Sequence, residues 1–492
     1  MNYKEIIMSE HQVKLIANEG IFRGLAKQNM LFHQCVGELV DNAIAACALN
    51  KKFRVDIMLQ KVDDDYINLY ICDNSNGMTL DILRRALQLG ESATQENRLN
   101  EHGFGLKNSL ATLSGGNGIW QLWTKDIEQN KVYLVEGPFK QEMTIKEIDA
   151  LPVVDFLPVD LTSIVSVKVK LSFVRTVQGR GAPASDLITL RDWLVEHLGV
   201  LYRGYLEQDT ITYDHSGVII VSVGNNSVQV PPIPVPLGNM STVYPEVELG
   251  GKSYKLTYRY GSLDEVKRDS VVRGSRARYY YQANIPTQGI DIRLGKRVIA
   301  TRQFETIWKI SRHNDYNDFV GELLIPDNVE RGILATINNK TDFNLDDINW
   351  EKVFEKIRDI KPQRGIREAS ESRLRTKWVE MLKATSTDDT ITTDKCVWPT
   401  GTKIDVYRKT NEKIIIYELK VGMAQPIHLY QLKMYWDGLV ILGEQPSEAV
   451  LLAEAFSTAI EEMANLMNTL NPPNSSEAYN FKIEKHKDKG LG

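Results

Sequence analysis

The spacing of apolar and polar positions along the first part of the chain predicts alternating helices and strands. Apolar residues recur at helical spacing in three stretches, residues 24–50, 80–90 and 106–116. Runs rich in Val, Ile, Leu and aromatic residues predict strands at residues 52–60, 67–73, 118–125, 131–137 and 163–173. Together these elements predict an α+β layer at the start of the chain.

The pattern changes after about residue 200, where strand-like runs are punctuated by prolines, as in VPPIPVPLG. Helical spacing returns in residues 344–360 and again in residues 367–383. The intervening KPQRG separates the two helices, because Pro and Gly end helices. We therefore expect four parts, with a helical linker as the third: residues 1–195, 196–345, 346–364 and 365–492.

Composition sets the class of protein. The chain has 492 residues, 42% hydrophobic and 25% charged, so it can bury about three ordinary cores. Its four cysteines form no CxxC pair, which favours a reduced cytoplasmic interior. The first residues lack the apolar core of a secretory signal, and no stretch approaches the ~18 uninterrupted apolar residues of a membrane helix. We expect a soluble, cytoplasmic protein with no membrane partner.

One helical stretch carries polar groups among small and apolar residues. In GELVDNAIAA, Glu38 and Asn42 are four residues apart and share a helix face, with Asp41 beside them. Burying such groups without partners costs about 2–7 kcal/mol, so a partner is expected, and a magnesium ion with a water would serve. The alternative is an ordinary amphipathic helix with one wet side, which this triplet alone does not exclude.

Two later stretches offer groups suited to a nucleotide. Asp73 ends the strand INLYICD and Gly77 follows in a tight turn, so the acid can accept a hydrogen bond from the amino group of adenine. A plain β-turn is the alternative there. In HGFGLKNSL, Gly103 and Gly105 lead into a helix that bears Lys107, and free amides at a helix N-terminus beside a lysine suit phosphates. A lone GxG is weak, but three such elements in this order are a strong signal.

The motifs ELVDN, DNSNGM and GFGLK resemble those of the GHKL ATPase superfamily, which includes gyrase, histidine kinases and MutL. The resemblance implies a Bergerat α/β sandwich in residues 1–195, with Glu38 as general base and Asn42 as magnesium ligand. It implies ATP as cofactor and residues 90–102 as a mobile lid. Two departures stand out: Ser75 occupies a position where the family usually has Gly, and a further Gly is missing near Glu101.

A second resemblance covers the following part of the chain. GIDIRLGKRVI and INNKTDF are similar to the second domain of MutL-like and MORC-type ATPases, which implies a ribosomal-S5-like transducer domain in residues 196–345. In that domain a lysine reaches the γ-phosphate, and Lys340 is the candidate here, with a solvent-exposed turn lysine as the alternative. The residues that these resemblances assign to ATP are Glu38, Asp41, Asn42, Asp73, Gly77, Met78, Gly103, Phe104, Gly105, Leu106, Lys107 and Lys340.

Residues 401–420 predict a β-hairpin with a turn near Asn411 and Glu412. A two-residue turn places Asp405 opposite Glu418, with Lys420 two residues further along the same face. Two acids and a lysine suit a metal-dependent phosphodiesterase, in which carboxylates hold Mg²⁺ and the lysine positions water. The alternative is a surface hairpin with a cross-strand ion pair.

GTKID, YELK and QLKMY together resemble the PD-(D/E)XK nuclease superfamily, specifically its RecB-like QxxxY members. The resemblance implies an α/β nuclease fold in residues 365–492, with Asp405 and Glu418 as metal ligands and Lys420 as the catalytic lysine. Gln431 and Tyr435 would support the site, since they are four residues apart on one helix face. An acid on the preceding helix often completes such sites, and Glu371 is the candidate.

Residues 251–312 contain 14 Lys and Arg against 5 Asp and Glu, a local charge of +9 in a chain whose net charge is −5. We call this segment the basic stripe, and six tyrosines are interleaved in it. Such a stripe suits phosphate contacts and DNA, although a charged run is often only a solvated surface. Its cations include Lys267, Arg268, Arg273, Arg276, Arg278 and Arg297.

The sequence therefore predicts an α+β multidomain protein that couples an ATPase to a nuclease. ATPase and nuclease in one chain resemble MutL/MORC-like ATPases of prokaryotic restriction and antiphage systems, which implies ATP-regulated, Mg²⁺-dependent DNA cleavage in defence, with Mn²⁺ able to substitute in the nuclease site. Mismatch-type DNA repair and an ATP-gated DNA clamp without cleavage are the alternatives. The resemblance implies an ATP-dependent homodimer, in which an N-terminal arm crosses to the partner, and residues 1–20 are apolar enough to form such an arm. It also implies partner proteins of a defence system.

Overall fold

The computed structural model of the chain describes most of its length, and the statements below concern those residues. Apart from a few single positions, the described ranges are 29–48, 51–88, 103–116, 118–155, 160–179, 185–206, 216–271, 279–330, 347–362, 366–385, 388–473 and 475–491. The structure is mixed α/β, with three large sheets that follow one another along the chain. Among the described residues, no helix is both long and apolar enough to cross a membrane.

The first large sheet has eight strands within the described residues, and they are largely antiparallel. In chain order they are β1 (Phe53–Lys61), β2 (Tyr66–Asp73), β3 (Trp120–Asp126), β4 (Lys131–Glu136), β5 (Ile145–Ile148), β6 (Ser163–Lys170), β7 (Gly217–Val223) and β8 (Asn226–Gln229). Across the sheet the order is β5-β4-β3-β6-β2-β1-β7-β8. The strands predicted at residues 52–60 and 67–73 are confirmed, and they pair antiparallel with Val55 opposite Asp73.

Helices cover this sheet and form one core with it. They are α1 (Phe32–Ala45), α2 (Leu80–Leu87), α3 (Gly105–Leu113), the short α4 (Leu171–Val174), α5 (Leu187–Leu201) and the short α6 (Arg203–Leu206). The helix α1 is shorter than the predicted residues 24–50, and most of its side chains are buried. Its apolar residues pack with strand residues such as Val55 and Ile57 in a single hydrophobic cluster.

The predicted domain boundary at residue 195 falls inside α5, and the first sheet continues beyond it. Strand β7 pairs in parallel with β1, where Phe53 lies opposite Gly217, and β8 pairs with β7. Parallel pairing needs a crossover of a dozen or more residues, so local spacing cannot reveal it. The first sheet therefore ends at Gln229.

The second large sheet has five strands among the described residues, in the order β14-β13-β15-β12-β9. In chain order, these strands, the small β10-β11 pair and the associated helices are β9 (Ser241–Val243), β10 (Glu246–Leu249), β11 (Lys252–Lys255), β12 (Thr257–Ser262), α7 (Glu265–Val271), β13 (Gly289–Leu294), β14 (Arg297–Gln303), α8 (Glu305–Trp308), β15 (Phe319–Ile325) and α9 (Ile348–Arg358). The sequence predicts that the helix α9 is part of a linker. This helix instead buries Trp350, Val353, Phe354 and Ile357 in the core of this sheet.

The third large sheet has five strands in the described part of the chain, in the order β16-β17-β18-β19-β20. Its elements are α10 (Ile366–Thr385), β16 (Thr390–Cys396), β17 (Lys403–Lys409), β18 (Ile414–Met423), α11 (Pro426–Ile441), β19 (Glu448–Ala455), α12 (Thr458–Met467) and β20 (Phe481–Lys485). The central strand β18 pairs antiparallel with β17 and in parallel with β19. The predicted hairpin is confirmed, with Val406 opposite Tyr417.

Buried polar contacts join the three sheets to one another. Arg203 on α6 is 1% exposed and forms ion pairs of 3.0 Å with Asp291 and 2.6 Å with Glu322, both in the second sheet. On the other side, the Glu265 carboxylate at the start of α7 accepts a hydrogen bond of 3.2 Å from the backbone N–H of Met423 at the end of β18. The second sheet thus contacts both neighbours through specific groups.

Candidate functional site

The helix α1 presents the first group of predicted site residues. Glu38 is 2% exposed, and Asn42 lies one turn further along the same face. The Asn42 amide nitrogen is buried and has no hydrogen-bond partner among the described residues. A buried donor without a partner is costly, so this position fits contact with a bound group. A carboxylate and an amide one turn apart supply the oxygen donors that Mg²⁺ prefers.

Glycine at position 105 allows α1 and α3 to approach each other closely at these residues. A Cβ on Gly105 would lie 2.1 Å from the Glu38 Oε2 atom. Glu38 therefore lies directly against the first residue of α3. This helix begins after Gly103, whose φ of +65° is left-handed, and Phe104, and no described side chain caps its N-terminus. The free backbone N–H groups and the partial positive charge of a helix N-terminus suit a phosphate.

The turn after β2 forms the third predicted element. The Asp73 carboxylate accepts a hydrogen bond of 2.9 Å from the Ser75 N–H, and the Thr162 hydroxyl also contacts it at 3.5 Å. Burial raises the pKa of Asp73 to about 6, although these hydrogen bonds act in the opposite direction. Gly77 has a φ of +66°, and a Cβ there would lie 1.8 Å from the Lys125 carbonyl oxygen, so only glycine fits. Met78 follows and donates its N–H to the Thr124 hydroxyl at 2.9 Å.

The hydroxyl of Ser75, at the position where the family usually has Gly, is used within this turn. Ser75 is 2% exposed, and its Oγ accepts the Gly77 N–H at 3.3 Å. The Ser75 carbonyl oxygen accepts a hydrogen bond of 2.9 Å from the Thr162 hydroxyl. The serine therefore fits the turn without displacing Asp73.

Two residues assigned to ATP by resemblance have protein partners in the structure. Lys107 is 1% exposed, and its Nζ donates to the carbonyl oxygens of Ala86 at 2.9 Å and Gln88 at 2.7 Å, at the end of α2. Asp41 is buried and accepts a hydrogen bond of 2.7 Å from the Tyr202 hydroxyl. Phe104 and Leu106 are half-buried.

The C-terminal domain gathers its predicted residues around Lys420. The Lys420 Nζ lies 3.0 Å from Glu418 Oε1 on the same strand and 3.2 Å from Glu371 Oε2 on α10. Asp405 on β17 accepts the Leu419 N–H at 3.0 Å. The structure therefore brings together the acids and the lysine that the sequence singled out.

Tyr435 and Gln431 come from α11. Tyr435 is 5% exposed and interacts with the Glu418 carboxylate, while Gln431 has a buried Oε1 with no hydrogen-bond partner among the described residues. Sequence reasoning missed Arg375, whose Nη1 lies 3.5 Å from Asp405 Oδ1. Its position four residues after Glu371, on the same helix face, was the signal that could have found it.

Burial and charge shift the titration of this cluster. Burial and the nearby Asp405 charge raise the pKa of Glu418 to about 7, although Lys420 acts in the opposite direction. Burial lowers the pKa of Lys420, but Glu418 and Glu371 outweigh that effect and raise it overall. A carboxyl that titrates near neutrality beside an ammonium group can exchange protons with a bound substrate.

The carboxylates of the cluster are suitable ligands for Mg²⁺, but in the structure they are paired with cationic side chains. Asp405 and Glu418 supply the carboxylate oxygens that Mg²⁺ prefers. In the described part of the chain, however, no three His, Cys, Asp or Glu side chains are grouped as metal ligands. Lys420 and Arg375 pair with the acids instead, so a metal would have to displace these cations.

The described part of the basic stripe contains both exposed cations and cations that pair within the fold, and the exposed ones are Lys252, Lys255, Arg259, Lys267 and Lys309. Arg268 forms an ion pair of 2.8 Å with Asp269 and donates to the Tyr281 carbonyl oxygen at 3.1 Å. Arg297 is 7% exposed and pairs with Asp41. Four of the six interleaved tyrosines pack in the interior, namely Tyr254, Tyr258, Tyr280 and Tyr281. These aromatic rings stabilise the fold and are not available for stacking on bases.

Several predicted residues lie outside the described residues. They are Lys340, the candidate γ-phosphate lysine; Arg273, Arg276 and Arg278 of the basic stripe; nearly all of residues 1–20; and, except for Leu99, residues 90–102.

Comparison with known proteins bears on the first domain. Residues 30–152 match the family described as histidine kinase-, DNA gyrase B-, and HSP90-like ATPase. The matched range contains α1, the turn after β2 and the start of α3. Together with the geometry of Glu38, Asn42 and Asp73, this match identifies residues 30–152 as a GHKL-type ATPase domain.

Other comparisons add less. One solved structure, described as the crystal structure of the N-terminal domain of a DNA repair protein, is similar with a TM-score of 0.38 and 14% sequence identity. The similarity covers 69% of this chain and 96% of that chain. A search among curated proteins finds no match to the sequence.

Proposed function

We propose that the chain is an ATP-regulated, Mg²⁺-dependent DNA endonuclease, with the GHKL-type domain controlling a C-terminal PD-(D/E)XK nuclease domain. The observation that carries this proposal is the convergence of Glu371, Asp405, Glu418 and Lys420 from one helix and two neighbouring strands. Acids and a lysine at hydrogen-bond distance suit phosphodiester hydrolysis. A surface hairpin with a cross-strand ion pair would leave these groups exposed, whereas Glu418 is 1% exposed.

In the ATPase domain, Glu38 is proposed as the general base and Asn42 as a ligand of Mg²⁺. Asp73 would accept a hydrogen bond from the adenine amino group, with Gly77 allowing the backbone to approach the base. The uncapped N-terminus of α3, from Gly103 onward, would bind phosphates. Bound Mg²⁺ supplies charge neutralisation of the phosphates in such sites.

In the nuclease domain, Asp405 and Glu418 would hold Mg²⁺ or Mn²⁺, with Glu371 as a further acid. The metal supplies activation of water and stabilisation of charge on the phosphate. Lys420 lies where it would position that water, and Tyr435 and Gln431 would orient the Glu418 carboxylate.

The biological setting follows from the combination of the two activities. ATP-controlled DNA cleavage suits defence against foreign or phage DNA, with partner proteins recognising the target. An ATP-dependent homodimer would present two nuclease sites to the two strands of a duplex. Arg273, Arg276 and Arg278 are proposed as phosphate contacts, whereas the Arg268 guanidinium is already paired with Asp269.

An ATP-gated DNA clamp without cleavage is the second candidate. The observation that favours it is the pairing of Lys420 with Glu418 and of Arg375 with Asp405, because each pair neutralises an acid that a metal would need. In a clamp these pairs would be permanent and structural.

Cleavage of supercoiled plasmid separates the two candidates. The purified chain is incubated with plasmid, with Mg²⁺ or Mn²⁺, and with or without ATP. We expect metal-dependent nicking that ATP changes and that Lys420→Ala abolishes. Lys482→Ala is the matched control, since Lys482 lies on β20 of the same sheet, where it pairs with Glu448 and touches no residue of the cluster. Intact plasmid that stays bound to the protein would contradict the nuclease and favour the clamp.

A further inference from the structure

Asp41 belongs to the helix of the ATPase site, but its carboxylate is paired within the protein. It follows Glu38 by three residues and directly precedes Asn42, yet its side chain is 0% exposed. Its carboxylate accepts hydrogen bonds from the Tyr202 hydroxyl at 2.7 Å and from Arg297 Nε at 3.0 Å. The Tyr202 hydroxyl also donates to the Gly37 carbonyl oxygen at 2.7 Å. The side chains of Tyr202 and Arg297 therefore fix this turn of α1 by hydrogen bonds.

Arg297 comes from a different sheet. It is the first residue of β14, in the second sheet, and lies 256 positions along the chain from Asp41. Its guanidinium is 4.6 Å from the centre of the Tyr202 ring, and its Nη1 donates to the Val298 carbonyl oxygen at 2.6 Å. The guanidinium is thus fixed by a carboxylate, an aromatic face and the backbone of its own strand.

This arrangement places a buried cation of the second sheet behind the residues that face the nucleotide. The charge of Glu38 acts on Arg297 in addition to that of Asp41. A Cβ on Gly37 would lie 3.7 Å from Arg297 Nη2, so the guanidinium lies close to the glycine next to Glu38. A shift of β14 would therefore move the turn of α1 that carries Glu38.

We propose that Arg297 is a positioning residue for ATP hydrolysis, which acts through Asp41 to set the orientation of Glu38 and makes turnover depend on the position of the second sheet. The inference rests on the proposed role of Glu38 as general base. It adds a contact between ATPase domain and second sheet that is independent of Lys340. Arg297 was counted in the basic stripe, and this role replaces DNA contact for it.

Kinetics and hydrogen exchange of the full-length chain test this role together. In Arg297→Gln we expect kcat to fall about 10- to 100-fold, since a misplacement of about 1 Å costs that much. Binding of a non-hydrolysable ATP analogue should remain unchanged, because Asp73 and α3 are not touched. Amide exchange in residues 32–45 should rise. Arg297→Lys keeps the charge but loses the forked geometry, so its kcat should lie between those of the wild type and Arg297→Gln. This variant also tests the proposal if the glutamine variant does not fold.

Two controls distinguish positioning from general stabilisation. Arg191→Gln removes another buried guanidinium, one that contacts Asn226 on β8 and Asp192 on its own helix α5, and should lower the melting temperature without changing kcat. The double variant Asp41→Asn/Arg297→Gln should show the kcat of a single variant, because the two residues act as one unit.

Unchanged kcat and unchanged amide exchange of α1 in both Arg297 variants would overturn the proposal. A kcat of the double variant that falls by the product of the two single-variant losses would also overturn it. If the wild-type chain hydrolyses no ATP, the proposed role of Glu38 fails. The exchange measurement then still decides the coupling: raised exchange of residues 32–45 supports it, and unchanged exchange rejects it.

Discussion

Replacing Gly105 by alanine tests whether Glu38 lies against the phosphate-facing helix as the structure places it. The added Cβ would lie 2.1 Å from Glu38 Oε2, whereas an ordinary contact begins near 3.4 Å. About 1.3 Å of movement is therefore needed, and the group that must move is the carboxylate of Glu38, which is 2% exposed. Overpacking of this size costs about 1–3 kcal/mol of folding free energy.

Gly105→Ala should lower kcat for ATP strongly, in addition to its effect on the free energy of unfolding. A displacement of about 1 Å at a catalytic group costs about 10²-fold in rate, so kcat for ATP should fall by that order. We expect urea unfolding to show the loss of about 1–3 kcal/mol, and a coupled phosphate-release assay to show the loss in kcat.

Gly37→Ala is the matched control on the neighbouring helix. A Cβ there meets its nearest atoms at 3.7 Å, an ordinary contact. Alanine in the interior of a helix is more stable than glycine by about 1 kcal/mol, so this variant should be as stable as the wild type or more so, with kcat retained. Wild-type turnover and stability in Gly105→Ala would refute the contact between Glu38 and α3.

Two further predictions concern the ATPase site and pH. Glu38→Ala should retain ATP binding and lose about 10²–10⁴-fold in turnover, whereas Asn42→Ala should weaken Mg-ATP binding itself; equal ATPase rates in wild type and both variants would contradict the assignment. Burial lowers the pKa of His197 to about 3, although its ring also contacts the Val177 carbonyl oxygen. The neutral form is favoured in the folded state, so its contribution to stability is complete above about pH 6.5 and is lost as pH falls towards 3. Between pH 7 and pH 5 the wild type should lose about 2 kcal/mol more than His197→Gln in urea unfolding, and identical losses would show that the histidine is not buried as a neutral ring.

Much of the local structure was predictable from spacing alone. The helix that carries Glu38 and Asn42, and the hairpin that brings Asp405 towards Glu418, follow from periods of 3.6 and 2 residues. Turn chemistry placed Gly77, whose φ of +66° and contact with the Lys125 carbonyl oxygen require glycine. These features depend on neighbours within a few residues, so the sequence contains the information directly.

The partners of the same residues were not predictable in this way. Lys107 matches a phosphate-loop lysine by motif, yet its Nζ donates to carbonyl oxygens at the end of α2. The tyrosines of the basic stripe alternate with cations in a segment predicted to contact DNA, yet Tyr258 is fully buried. A lysine or a tyrosine can either face a ligand or be buried with protein partners. Which of the two occurs depends on elements that pack against the side chain from elsewhere in the chain.

The sequence by itself determined which residues could form a nucleotide site and a carboxylate cluster, because helix and strand periods put them on common faces. Only the tertiary structure decided that Asp41 pairs with Arg297 across 256 positions, and that strand β7 joins the first sheet beside β1. Such contacts form when folding brings distant segments together. Burial and pairing of the groups stabilise these contacts. Because the paired groups are far apart along the chain, no periodic pattern in the sequence indicates them.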